Sequence, residues 1–128
     1  MINKDFTPYQ EAFELKQLGF DEPCFASYYH AGRKLDICEY INHGEYTVLA
    51  PTYSQAFRWF REKYHLIGGI EYIAGETPKT TWWDIYVVGH YNIDYKKMSM
   101  KYQPYEEAEL ACLKKLIEIV KQIGRAHV

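Results

Sequence analysis

The sequence has no surplus of charge of either sign. Fifteen Lys and Arg face 17 Asp and Glu, a formal net charge of -2. A general nucleic-acid binder needs excess cations to displace counterions from phosphates, so that class is set aside. No apolar run approaches the roughly 20 residues that span a bilayer, and the opening Met1-Ile2-Asn3-Lys4-Asp5 lacks the apolar stretch of a secretory leader. Cysteine is scarce: Cys24, Cys38 and Cys112 form no CxxC pair, which predicts free thiols in a reducing cytoplasm. Catalytic signatures are missing too, with no GxSxG, no glycine-rich phosphate loop and no HExxH. His30, His43, His65 and His90 stand singly, whereas zinc sites use close ligand pairs. Neither a metal nor a cofactor is expected.

What the chain has in quantity is tyrosine. Its 13 Tyr help bring aromatics to 17% in a 128-residue chain that is 48% hydrophobic and 25% charged. Those proportions suit one soluble globular domain with a proper core. Many of the rings are needed for that core. Tyr also combines contact area with a hydroxyl at low entropic cost, so rings left over would make a binding surface.

One phrase recurs three times: Pro8-Tyr9-Gln10-Glu11-Ala12, Thr52-Tyr53-Ser54-Gln55-Ala56 and Pro104-Tyr105-Glu106-Glu107-Ala108. It has the chemistry of a helix start. Thr7 and Thr52 can accept backbone N–H groups of the first turn, and Gln10 and Gln55 follow three residues later as in a capping box. Pro8 suits the first helical position, where its missing N–H is no loss. Helices are therefore predicted over 8–18, 52–65 and 104–122. Gly19 is placed for a left-handed stop with Phe20 folding back on Leu15. On the second helix Tyr53, Ala56, Phe57, Phe60 and Tyr64 share a stripe, with Arg58, Arg61 and Glu62 pointing away. The third carries acids at its start and lysines toward its end, matching the macrodipole.

Between the helices, 24–30, 34–41, 46–50, 70–74 and 81–91 read as strands, with a weaker one over 97–102. Turns fall at 31–33, 42–45 and 75–79, and Gly68-Gly69 reads as a break. The expected class is α+β, in the order α-β-β-β-α-β-β-(β)-α, with an antiparallel sheet covered on one face by three helices. The recurring helix start also suggests a pseudo-repeat. The single domain is expected to cover 1–122. Residues Ile123-Gly124-Arg125-Ala126-His127-Val128 are what ATC-GGA-AGA-GCA-CAC-GTC encodes, a common short-read sequencing adapter. The tail is therefore expected to be read-through from metagenomic reads, outside the fold.

The segment 81–91 bears most directly on function. Alternation puts Trp83, Ile85 and Val87 on one face, as core, and Trp82, Asp84, Tyr86, Val88 and His90 on the other. Flat rings beside an acid could stack on a base and fix its edge. Arg58 and Arg61, one turn apart, could hold phosphate. The expected ligand-binding set is Trp82, Asp84, Tyr86, Arg58 and Arg61, with no catalytic residue. The competing expectation is a solvated face of cross-strand aromatic pairs beside a salt-bridged helix. Cys24 and Cys38 lie in strands, where a buried inert thiol is expected rather than a nucleophile.

The stretch Ala50-Pro51-Thr52-Tyr53-Ser54-Gln55-Ala56-Phe57-Arg58-Trp59-Phe60-Arg61-Glu62-Lys63-Tyr64, with 105–121 and 6–23, resembles a family of small proteins of phages and prophages in gut Bacteroidales. The shared motifs are helix faces and caps, so no active-site residue is carried over. The resemblance implies a phage accessory protein in the host cytoplasm. Together with small size, missing catalytic motifs and abundant Tyr, it leads to the expectation of an inhibitor of anti-phage immunity, sequestering a nucleotide signal or capping an immune protein. The alternatives are a small nucleotide-acting enzyme using Asp84 or His90, and a structural phage protein without a ligand. If the arginines lie on the opposite layer from the aromatic face, only a homo-oligomer brings the two together.

Overall fold

Three helices begin on the tyrosine of the recurring phrase: α1 (Tyr9–Gln17), α2 (Tyr53–Tyr64) and α3 (Tyr105–Ala126). The structure is a computed structural model that describes residues 2–29, 34–41, 47–89, 96–97 and 101–126. The turns expected at 31–33 and 42–45 lie outside those residues, as do His30, His43, His90 and the side chain of Cys38. The class is α+β, and the strands between the helices are β1 (Cys24–Tyr29), β2 (Leu35–Ile41), β3 (Thr47–Leu49), β4 (Leu66–Ile73), β5 (Trp82–Gly89) and β6 (Lys96–Lys97). They form two antiparallel sheets, ordered β2-β1-β3 and β4-β5-β6. The chain divides into two units, Met1–Ala56 and Phe57–Val128, with the boundary inside α2. Among the described residues no helix is long and apolar enough to cross a membrane.

In the first unit, α1 packs on the sheet through a core of Ala12, Ala26, Tyr28, Val48 and Ala50, bordered by Phe6, Tyr9 and Leu35. The α1 stop is the expected one. Gly19 takes φ 101, Phe20 N–H donates to Leu15 O at 2.9 Å, and Gly19 N–H donates to Lys16 O at 3.0 Å. The start differs from expectation. Pro8 is the N-cap and no side chain caps the helix. Thr7 is held one residue too early, because its N–H donates to Pro51 O and its carbonyl accepts the Tyr28 hydroxyl, both at 2.9 Å. Its own hydroxyl is buried with no partner among the described residues, and Gln10 Nε2 donates to Glu14 Oε1 instead. At α2 half of the capping box forms. Gln55 N–H donates to Thr52 Oγ1 at 3.2 Å, while the Gln55 amide leaves the helix to donate to Pro23 O and Glu22 Oε1.

In the second unit, α3 packs on β4 and β5. Its buried face carries Ala108, Cys112, Leu113, Leu116, Ile117 and Val120. The glycine pair Gly68-Gly69 does not break the chain; β4 runs through it, paired residue for residue with β5 from Leu66↔Gly89 to Ile73↔Trp82. Both glycines are there for close approach. A Cβ at Gly68 would lie 2.8 Å from Cys112 Sγ and 2.9 Å from Leu116 Cδ1 of α3, and one at Gly69 would collide with the Tyr86 ring. The buried stripe of α2 is Tyr53, Ala56, Trp59 and Phe60, so Trp59 joins the expected set, while Phe57 and Tyr64 are half-buried. The α3 helix passes the expected end at 122 and continues to Ala126.

Candidate binding face of the second unit

Because β5 alternates, one of its faces belongs to α3. Ile85 and Trp83 pack with Ala108 and Cys112, as the period-2 pattern requires. The other face carries Trp82, Asp84, Tyr86 and Val88. The β4 register sets Ile73, Glu71, Gly69 and Ile67 directly opposite these four residues. The face is therefore a ladder of four cross-strand pairs, and its character changes along its length.

At the Trp82 end, the Lys101 ammonium sits 4.5 Å from the indole centroid, a cation–π contact that occupies part of the ring the sequence offered for stacking. Next comes Asp84, only 3% exposed, whose Oδ1 accepts the Ile85 N–H at 2.9 Å. Its cross-strand neighbour is the half-buried Glu71, so two acidic residues stand opposite each other at the middle of the ladder. Asp84, the acid expected to contact the ligand, is thus buried, whereas Glu71 opposite it is partly exposed. Tyr86 follows, laid across Gly69. At the far end, Ile67, Val88 and Gly89 line a depression of about 300 Å³ together with Arg61 and His65.

The five residues singled out from the sequence are thus placed unequally. Arg61 lies beside Val88, two residues from Tyr86 on the same strand face. Trp82 is six residues from Val88, roughly 20 Å at the rise of a strand, so it and Arg61 do not share one small subsite. Arg58 is exposed one turn before Arg61 and is not among the described residues lining the depression. His90 lies outside the described residues. Glu71, Gly69, Ile67 and Lys101 were not anticipated. Reading Gly68-Gly69 as a break hid the β4 register that reveals the first three.

His65 is the sole residue between α2 and β4, with a left-handed φ of 56. Neither of the two described thiols shows a sign of activation. Burial, aided by the Glu22 charge, pushes Cys24 up to about 12 against the opposing effect of its hydrogen bond with Gln55. Burial likewise pushes Cys112 up to about 12 despite a backbone hydrogen bond at Gly69. Both match an inert buried thiol. Among the described residues no three His, Cys, Asp or Glu side chains cluster as metal ligands would. In comparisons with known proteins, the chain matches no family model, no curated protein and no solved structure.

Proposed function

We propose that this chain binds a nucleotide without transforming it, and that the ligand lies along the β4–β5 face from the Arg61 depression toward Tyr86. The observation that carries the reading is the depression itself. A guanidinium and an imidazole border an apolar floor, Ile67 and Val88, and that floor continues into Tyr86 on the same face. Arg61 offers a planar fork of donors for phosphate. The Tyr86 ring offers a stacking platform worth roughly 1–3 kcal/mol per base. Glu71, opposite Asp84, supplies an acceptor for exocyclic N–H groups of a base. Taken with the resemblance to small phage proteins, the role is that of an accessory protein in an infected bacterium. It holds a nucleotide immune signal away from its receptor.

The test is to titrate the full chain with candidate cyclic nucleotides, then denature the complex by heat and identify what is released. Binding with intact release is the expected result. Arg61→Ala should weaken binding about tenfold or more, with Trp82→Ala, ~20 Å away by strand rise, weakening it less. Release of a product would make the protein an enzyme. Failure of every nucleotide to bind would sink the reading and turn attention to capping of a protein.

A further inference from the structure

We propose that the outer edge of β4 pairs antiparallel with β4 of a second copy, joining two β4-β5-β6 sheets into one six-stranded sheet. Sheets protect their edges with short strands, lysines, prolines or bulges, since an unprotected edge is a template for another chain. Among the described residues two of the other edges carry such protection: β6 presents two lysines, and β2 pairs through a register shift at Cys24/Ala26 of β1. The β4 edge has eight residues, LIGGIEYI, with no Lys and no Pro, and its pairing with β5 is free of bulges. Ile67 and Tyr72 along it are 46% and 54% exposed.

The strand's own sequence favours a second copy over a foreign strand. A two-fold axis perpendicular to the sheet matches residues of the same parity, so only certain registers are open. Centring on Glu71 sets two carboxylates opposite each other, which is unfavourable. Centring on Gly69 sets Ile67 against a carboxylate. Centring on Ile70 pairs Ile70 with itself, Ile67 with Ile73, Gly69 with Glu71 and Gly68 with Tyr72. That register joins apolar to apolar and separates the acids. Since α3 packs on both β4 and β5, a perpendicular axis would put the two α3 helices on the same face of the joined sheet.

The full chain carrying Ile70→Cys in a Cys38→Ser background tests the register under mild oxidation. Ile70→Cys should form a disulfide dimer at least tenfold more than Ile67→Cys, whose copies would lie roughly 20 Å apart. Equal cross-linking of the two, or none, overturns the proposal. Because Ile70 lies against the α3 core, sedimentation provides a check that leaves the core alone. The parent should sediment at twice 15.2 kDa at high concentration, and Tyr72→Lys should shift it to the monomer. A monomeric parent, or a dimer indifferent to Tyr72→Lys, overturns it equally.

Discussion

The two units use the same kinds of parts in opposite order. In the first, α1 precedes its sheet and the central strand is the first in sequence; in the second, α3 follows its sheet and the central strand is the second. They also bring helix and sheet together differently. The first places alanines on both sides of the contact, with Ala12, Ala26 and Ala50 no more than 1% exposed. The second removes a side chain altogether at Gly68 so that Cys112 and Leu116 can reach the strand. The recurring Tyr phrase therefore marks where helices begin and says nothing of topology. The expected pseudo-repeat has no counterpart in strand order.

This contrast yields a ranked set of tests. Gly68→Ala should cost about 1–3 kcal/mol in denaturant unfolding through overpacking. Combining it with Cys112→Ala should return part of the loss, since the contact is direct. Ala26→Gly in the first unit should cost about 1 kcal/mol, from lost burial and added chain entropy. A neutral Gly68→Ala would end the distinction. The helix starts supply the next test. Thr52→Ala should cost about 1 kcal/mol, while Thr7→Val should cost nothing or add up to about 1 kcal/mol, because it removes a buried hydroxyl that has no partner among the described residues.

The thiols bring the two units back to common ground. Among the described residues each unit buries a cysteine, Cys24 or Cys112, whose folded pKa of about 12 stands above the ordinary 9.0. The unfolded chain releases these protons first, so above pH 9 it binds fewer than the folded protein and stability falls as pH rises from about 9 toward 12. Burial raises Tyr28 and Tyr102 in the same direction. Urea midpoints measured against pH should show this decline, and Cys24→Ala and Cys112→Ala should each flatten it. The smallest effect is expected at the C-terminus. Gly124 would have open space around a side chain, so deleting 124–128 should move the melting temperature by about a degree or less.

Local signals were the legible ones. The recurring Tyr phrase, the Gly19 stop and helical stripes placed all three helices, although the α1 cap did not form, and alternation assigned the two faces of β5 correctly. What stayed hidden depends on partners distant in sequence. Thr7 looks like a cap until Pro51 and Tyr28 claim its backbone, and Gly68-Gly69 looks like a break until α3 and Tyr86 occupy the space. Trp59 was missed because Arg58 and Arg61 flank a face that is wider than a single stripe. In the candidate site, the side-chain chemistry of Tyr86 and Arg61 was readable from the sequence. The burial of Asp84 and the distance of Trp82 from the arginines were not, because they follow from register and from the point where β4 begins.

That starting point has a consequence for how the chain can change. One left-handed residue, His65, turns α2 into β4 with no loop between them. An insertion or deletion of one residue at this corner would turn over every side chain of β4. Glycines would face the wrong way, Leu66 and Ile70 would point away from α3, and Ile67 would leave the floor beside Arg61. The spacing between helix and strand is therefore a phase as well as a length. Descendants of this sequence can alter residues at the corner far more readily than they can alter its count.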